Sequence, residues 1–207
     1  MTPPPFNIAT HIPVMEQFYT IQGEGFHSGK AAYFIRLAGC DVGCVWCDVK
    51  ESWTVSESQI VTIDSIVAET LKYPARLAVI TGGEPLMYDC SALTEALQSA
   101  GFQTNIETSG AYTLSGNWNW ICVSPKKFIK PKEEICQFAN ELKIIIYNKS
   151  DFAWAEEYAA KVSKECILLL QPEWSVAEKV TPLIVDYVKA NPQWRISLQT
   201  HKFMQIP

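Results

Sequence analysis

A short cysteine-rich segment is the part of this sequence best suited to chemistry. Cys40, Cys44 and Cys47 are spaced as CxxxCxxC, and the next cysteine along the chain is Cys90. Three thiolates on one loop can bind three irons of a [4Fe–4S] cluster, although such clusters are more usually held by four cysteines. The spacing therefore favours a cluster in which one iron is open to chemistry. Trp46, between two of the cysteines, is expected to pack over it.

Two other uses of these cysteines compete with this interpretation. A structural zinc site needs four ligands, usually as two separated pairs, and here only His27 and His201 could complete a single triplet. A disulfide framework is disfavoured by the odd cysteine count and by the lack of a signal-peptide pattern. Zinc stays open as the alternative. The remaining cysteines are interpreted as small packing residues: Cys90, Cys122, Cys136 and Cys166.

Composition narrows the class of protein. The chain has 207 residues, 48% of them hydrophobic, which suits a single domain with a full core. A net charge of −5 argues against a nucleic-acid-binding surface, and no apolar run reaches membrane-spanning length. The start also lacks a signal pattern. We therefore expect a cytoplasmic protein in which residues 1–207 form one domain, with a loose N-terminal arm over the first dozen residues.

Short apolar segments alternate with helix-like patterns along the chain. Three apolar stripes with helical spacing cover residues 63–71, 93–100 and 176–188. Alternating strands and helices predict an α/β fold with a mainly parallel sheet. Too few units are present for an eightfold barrel, so we predict a partial βα barrel, incomplete and modified; a doubly wound sheet is the alternative. The predicted strands are 33–37, 77–81, 102–107, 120–124, 142–147, 167–171 and 195–199.

Polar clusters lie just after six of these predicted strands. In βα folds the carboxyl ends of the strands share one face and build the active site, so we expect the clusters to meet. They are the cysteine loop and residues 81–85, 107–110, 124–126, 171–172 and 199–202.

Three of the polar features suit a ligand as well as a structural role. Residues 82–85 (GGEP) are expected to form a tight turn in which the glycine backbone can lie close to a ligand. Glu84 could accept a hydrogen bond from an amino group, such as that of S-adenosylmethionine bound to an open iron. Residues 22–25 (QGEG), placed before the first predicted strand, fit either a ligand-contacting turn or an exposed one. Arg36, inside an apolar strand, must pair with a protein carboxylate or bind an anion.

Taken together, these residues resemble a known group of enzymes. The CxxxCxxC pattern with an aromatic residue before its last cysteine resembles the radical S-adenosylmethionine superfamily. Within it, residues from about 18 to 207 look like the 7-carboxy-7-deazaguanine synthase family. The motifs are Gln22-Gly23-Glu24-Gly25, Arg36, Cys47-Asp48, Thr81-Gly82-Gly83-Glu84-Pro85, Glu107-Thr108-Ser109-Gly110, Ser124-Pro125-Lys126 and Gln199-Thr200-His201-Lys202.

This resemblance implies an activity and partners. The family converts 6-carboxy-5,6,7,8-tetrahydropterin to 7-carboxy-7-deazaguanine and ammonia, a ring contraction in queuosine or other 7-deazapurine biosynthesis. The resemblance implies a carbon–nitrogen lyase with a [4Fe–4S] cluster and S-adenosylmethionine, which is regenerated at each turnover. It also implies a homodimer and a flavodoxin-like electron donor.

The resemblance further implies roles for individual residues. Cys40, Cys44 and Cys47 bind the cluster. The residues implied at the S-adenosylmethionine site are Gly83, Glu84, Ser124, Pro125, Lys126, Gln171, Pro172, Glu173 and Trp174. The residues implied to bind the pterin are Ile21, Gln22, Gly23, Arg36, Thr81 and Pro207. The candidate catalytic residues are Glu24, Glu107 and His201.

One position departs from the family pattern. The family usually has Thr or Ser after Cys47-Asp48, and its hydroxyl helps to bind Mg²⁺ beside the substrate carboxylate. Here the residue is Val49, which has no ligand atom. Mg²⁺ binding is thus an open question, since Asp48, a backbone carbonyl or water could substitute.

Two other functions remain as alternatives. A glycyl-radical-type activating enzyme would share the cluster but would need a protein-docking surface. Arg36 and the turn at residues 22–25 favour a small anionic ligand instead. A non-enzymatic metal-binding scaffold is the second alternative, and metal analysis would separate it from an iron–sulfur enzyme.

Overall fold

The computed structural model describes residues 6–45 and 47–207. The expected packing of Trp46, and the first five residues of the expected arm, lie outside this range. The described strands are β1 (His11–Ile21), β2 (Ala31–Leu37), β3 (Ile60–Thr62), β4 (Leu77–Gly82), β5 (Gln103–Thr108), β6 (Trp120–Val123), β7 (Glu141–Ile146), β8 (Ile167–Pro172) and β9 (Trp194–Ile196). The described helices are α1 (Ile63–Thr70), α2 (Ser91–Ser99), α3 (Glu133–Phe138), α4 (Asp151–Ala159), α5 (Ala177–Ala190) and α6 (Thr200–Met204).

All the strands belong to one sheet, in the order β3-β1-β2-β4-β5-β6-β7-β8-β9. β1 pairs antiparallel with β2 and β3, and from β2 to β9 every pairing is parallel. The parallel strands follow chain order without the reversal that defines a doubly wound sheet. Within the described residues, β3 and β9 remain as two separate edges. The prediction of an incomplete βα barrel is confirmed.

The two faces of the sheet differ in polarity. In β7, Leu142, Ile144 and Ile146 belong to the apolar core, whereas the alternating residues Glu141 and Lys143 are buried on the opposite face. Because successive side chains of a strand point to opposite faces, the helices cover an apolar outer face while the barrel interior is polar. The four cysteines outside the loop are buried and free, which confirms their packing role.

The structure corrects two expectations about the N-terminal region. β1 begins at His11, inside the stretch expected to be a loose arm, and it is the longest strand. The turn at residues 22–25 therefore follows a strand, whereas we expected it to precede the first one. Pro13 argued against a strand here, because proline has no amide hydrogen to donate to a neighbouring strand and is usually confined to edge strands. In β1, the carbonyl of Pro13 accepts from the amide of Ala38.

The helices are short apart from α5, which has 14 residues. Among the described residues, no helix combines the length and the apolar composition needed to cross a membrane.

Candidate active site

Two adjoining cavities open at the carboxyl ends of the parallel strands. Their volumes are about 250 and 220 Å³. The first contains the cysteine loop, and the second lies between β1, β2 and α6. Both are lined by Glu24, Asp48, Val49, Thr81, Glu107 and Gln199. Because these residues form a shared wall, a ligand in one cavity lies next to a ligand in the other.

The cysteine loop forms one side of the first cavity. Cys40, Cys44 and Cys47 all line it, and their thiols are free. The loop is held by the amide of Cys40, which donates to Trp53 O at 3.3 Å, and by that of Cys47, which donates to Cys44 O at 3.2 Å. Burial raises the pKa of Cys40 and of Cys44.

These thiols suit an iron–sulfur cluster better than a zinc ion. Among the described residues, no three His, Cys, Asp or Glu side chains already form a metal cage. His27 cannot complete a zinc site, because its ring is buried against Phe26 and Trp120, away from both cavity linings. His201 lines the second cavity rather than the cysteine side. Three thiols on one open wall are the donor set of a cluster with one exposed iron.

Gly83 allows the end of β4 to pack directly on the cysteine loop. Its amide donates to Leu37 O at 3.0 Å, and the next amide donates to Gly39 O at 2.9 Å. A Cβ at Gly83 would lie 2.0 Å from the carbonyl oxygen of Gly39. The glycine is thus required by the cysteine loop itself, in addition to any ligand.

Glu84 has a different role from the one expected. Its carboxylate is 1% exposed and accepts from the Thr108 hydroxyl at 2.5 Å, the Leu86 amide at 3.1 Å, and both the amide and the hydroxyl of Ser109. Four donors saturate the two carboxylate oxygens. Glu84 therefore fixes the loops after β4 and β5, and it has no free lone pair for the amino group of a ligand.

The opposite wall of the first cavity comes from the loops after β6 and β8. Lys126 donates to the hydroxyl of Ser124 at 2.7 Å and to its carbonyl at 2.9 Å, and burial lowers the pKa of Lys126. Pro125 is buried and lies outside both linings. The other expected residues on this wall do line the cavity: Ser124, Lys126, Gln171, Pro172, Glu173 and Trp174.

The second cavity collects the remaining expected residues, which come from β1, β2, β4, β5 and the C-terminal segment. They are Ile21, Gln22, Gly23, Glu24, Arg36, Thr81, Glu107, His201 and Pro207.

Arg36 combines the two roles that the sequence left open. Its Nε donates to Glu16 Oε1 at 2.7 Å, and the guanidinium stacks over Phe18. Glu16 is the protein carboxylate. This hydrogen bond uses Nε, one of the donors of the guanidinium group. Arg36 lines the cavity, and its two terminal nitrogens can still bind a ligand anion.

Glu24 and Glu107 share a buried lysine that the sequence analysis missed. Lys143 Nζ lies 2.5 Å from Glu24 Oε2 and 2.8 Å from Glu107 Oε2. Burial raises the pKa of Glu24, but the charge and hydrogen bond of Lys143, together with hydrogen bonds from Gln199 and Gln171, lower it to about 2. Both Glu141 and Lys143 interrupt the apolar run of β7, and that interruption was the available sequence signal.

The turn after β1 is locked to α6. The carbonyl of Gly23 accepts from the amide and the hydroxyl of Thr200, both at 2.9 Å. A Cβ at Gly23 would lie 2.3 Å from His201 Nδ1, so only glycine fits. Burial lowers the pKa of His201, which favours the neutral form of its ring. Thr20 donates to the C-terminal Pro207 at 3.1 Å, which brings the chain end to the cavity rim.

Asp48 and Val49 lie where the two cavities meet. The Asp48 carboxylate pairs with Lys202 Nζ at 2.6 Å, and Lys202 also stacks over Trp174. An ammonium group on this carboxylate repels a divalent cation, and Val49 supplies no side-chain ligand. Residues 48 and 49 thus offer Mg²⁺ a single side-chain carboxylate, which already has an ammonium partner.

Comparisons with known proteins agree with this geometry. A profile of the Radical SAM superfamily matches residues 34–118, which include the second half of β2, the cysteine loop, β4 and β5. A 7-carboxy-7-deazaguanine synthase from Flavobacterium psychrophilum is 58% identical over 196 residues, with 95% of this chain and 93% of that protein covered. The Synechocystis enzyme of the same name is 44% identical, with 94% and 93% covered.

A solved structure is similar as well. The crystal structure of QueE from Escherichia coli superposes with a TM-score of 0.83 at 33% identity, and the match covers 91% of this chain and 93% of that one.

Proposed function

This chain belongs to the 7-carboxy-7-deazaguanine synthase family of the radical S-adenosylmethionine superfamily, and on that premise we propose its reaction. It converts 6-carboxy-5,6,7,8-tetrahydropterin to 7-carboxy-7-deazaguanine, with loss of ammonia. The observation that carries this proposal is the pair of adjoining cavities, one with three free thiols and one with a carboxylate-rich wall and an arginine.

The first cavity would hold the cofactors. Cys40, Cys44 and Cys47 would bind the [4Fe–4S] cluster, and the walls formed by Gly83, Lys126 and residues 171–174 would enclose S-adenosylmethionine. When bound there, the cluster would supply the one-electron reduction of S-adenosylmethionine on which radical chemistry at the pterin depends. The protein's part is to hold the two ligands side by side and to exclude water.

The second cavity would hold the pterin in one orientation. Arg36 supplies two free N–H donors for the substrate carboxylate, because Glu16 holds the Nε side of its guanidinium. Glu24 and Glu107 accept hydrogen bonds from ring N–H groups. His201, packed on Gly23, offers a ring nitrogen at the same cavity. The walls thus place a cation at one end of the ligand and acceptors along another side.

No step of this proposal depends on Mg²⁺. Lys202 occupies the Asp48 carboxylate, so the cations near the substrate carboxylate are Arg36 and Lys202.

The finer partners also belong to this proposal. An exposed apolar strip of Ile196, Leu198 and Phe203 borders the edge strand β9 and supports a homodimer. A flavodoxin-like protein would supply electrons to the cluster, and a cytoplasmic location would keep the thiols reduced. The family assignment does not favour a glycyl-radical activase or a metal-binding scaffold.

The test is anaerobic turnover of the reconstituted protein with S-adenosylmethionine, a chemical reductant and the carboxylated pterin. We expect 7-carboxy-7-deazaguanine and ammonia in equal amounts, measured by mass spectrometry and an ammonia assay. A protein that cleaves S-adenosylmethionine but leaves the pterin unchanged would contradict the proposal.

A further inference from the structure

Lys143 lies between two carboxylates in the wall that both cavities share. Its side chain is 4% exposed, and its ammonium contacts Glu24 at 2.5 Å and Glu107 at 2.8 Å. The second oxygen of each carboxylate also has a donor: Gln199 for Glu24 at 2.9 Å, and Gln22 for Glu107 at 3.0 Å. Every oxygen of the pair thus receives a protein hydrogen bond, and Glu24 has Gln171 as a further donor. Lone pairs stay free on both groups, because a carboxylate offers about four acceptor sites.

The ammonium group of Lys143 also affects the ionisation of Glu24 and Glu107. Two carboxylates close enough to share one ammonium would repel each other without it, and such pairs take up a proton. A protonated carboxyl becomes a hydrogen-bond donor on one oxygen, which destroys the acceptor pattern. The ammonium of Lys143, in contact with both groups, offsets one of the two carboxylate charges.

Other titratable groups face this lysine from several elements. Cys122 on β6 and Glu141 on β7 lie beside it, and burial raises the pKa of each. Lys126 and His201 approach from the loop after β6 and from α6, and burial lowers the pKa of each. The salt bridges of Lys143 go to Glu24 and Glu107.

We propose that Lys143 is a positioning residue that keeps Glu24 and Glu107 ionised, so that their free lone pairs recognise a guanidine-like N–H edge of the substrate. The aminopyrimidinone ring of a pterin has such an edge, with adjacent ring and exocyclic N–H donors. This identification of the ligand edge rests on the proposed function. Arg36 would bind the carboxylate at the other end, so the acceptor wall would select the orientation of the ring.

A measurement without turnover tests the charge state. We compare infrared difference spectra between pH 6 and pH 9 for the reconstituted wild type and for Lys143→Met. The variant is expected to gain a protonated-carboxyl band at pH 6 that is lost at pH 9 and that disappears when Glu107→Gln is added. Burial raises the pKa of Glu141 and the charge of Lys143 counteracts this rise, so the comparison is repeated in proteins that carry Glu141→Gln, in which the new band should persist. No new band in Lys143→Met would overturn the proposal.

Kinetics test the consequence for the substrate. Lys143→Met should raise the KM for the pterin roughly 10- to 100-fold at pH 7, and this KM should fall as the pH rises, because losing the proton restores the acceptor. Lys143→Arg should recover most of the affinity. Lys127→Met is the matched control, since Lys127 pairs with the buried Asp151 outside both cavities; its KM should not change.

Two results would contradict this second step. One is a KM in Lys143→Met that is raised equally at every pH, as expected from a purely structural loss. The other concerns Glu107→Gln, which keeps Lys143 and Glu24 and can be used if Lys143→Met does not fold. This variant should raise the KM for the pterin without a pH dependence. An unchanged KM would refute the recognition role. Since the infrared result needs no substrate, it stands or falls independently of the proposed reaction.

Discussion

Arg36 illustrates how much one residue type can predict. A charge inside an apolar strand required a partner, and the sequence could not choose between a protein carboxylate and a ligand. The structure supplies Glu16 as the first and leaves the outer guanidinium nitrogens for the second. Glu16 could not be identified as the partner from the sequence, because it lies on β1, which was not predicted as a strand.

Replacing Arg36 by lysine should weaken substrate binding strongly. A bidentate contact becomes a point contact, which costs about 2–3 kcal/mol, or roughly a hundredfold in KM for the carboxylated pterin. KM for S-adenosylmethionine should change little. Glu16→Gln is the control, because it keeps the guanidinium and removes only the charge of its protein partner; its effect should be much smaller. An unaltered KM in Arg36→Lys would make Arg36 a structural residue.

Val49 gives a prediction about metal dependence. With Lys202 on Asp48 and no hydroxyl at Val49, activity should respond only modestly to a chelator of Mg²⁺. Val49→Thr should create or strengthen a Mg²⁺ requirement, measured by titrating Mg²⁺ into both proteins under reducing conditions. A steep, saturable Mg²⁺ dependence in the native protein that Val49→Thr leaves unchanged would refute this expectation and identify Asp48 or ordered water as ligand.

At the scale of elements, strands with strong apolar runs could be predicted from the sequence. The short elements that hold the site, β3 and α6, could not. Residues 77–81 and 167–171 were predicted as strands and lie within β4 and β8. β3 has three residues and α6 has five, too short for a periodic signal, yet α6 carries His201 and Lys202. Short elements of this kind are fixed by tertiary contacts, such as those of Thr200 with Gly23.

Glu84 supports two loops at once, so its loss should be felt in stability. Glu84→Gln replaces one acceptor oxygen by a donor that faces the donors of Thr108, Leu86 or Ser109. We expect about 3 kcal/mol of lost stability and a fall in melting temperature of roughly 5–10 °C, measured by calorimetry on the cluster-free protein. Glu173→Gln is the control, since Glu173 lines the same cavity and accepts from the Ser175 hydroxyl. Equal melting temperatures for the two variants would contradict the role of Glu84.

For the molecule as a whole, the fold and the cavity linings followed from strand alternation and the family motifs, whereas the polar interior did not. Lys143 pairs with residues 119 and 36 positions away. No local pattern encodes a partner at such a sequence separation, so the sequence alone did not identify Lys143 as a site residue. The local indication of its role was the alternation of Glu141 and Lys143 with apolar residues along β7, which places both charged side chains on the inner face of the sheet.

Cluster loading of the whole protein should depend on three of the seven cysteines. Alanine at Cys40, Cys44 or Cys47 should abolish the iron and sulfide, about four of each per chain in the native protein, as measured chemically after anaerobic reconstitution. Alanine at the four buried cysteines should preserve them. If Cys90→Ala lost its iron as fully as Cys44→Ala, the cluster assignment would fail.

The contact between Gly23 and Thr200 joins the two ends of the chain, and this has a consequence for the order of assembly. The cysteine loop is supported by Leu37, Trp53 and Gly83, all within the first half of the sequence, whereas the substrate cavity needs α6. Contacts of large sequence separation form late, because loop closure must precede them. We therefore expect a nascent chain to acquire a cluster-binding region before it can recognise substrate. Pulsed hydrogen exchange during refolding should protect the amide of Gly83 earlier than that of Thr200.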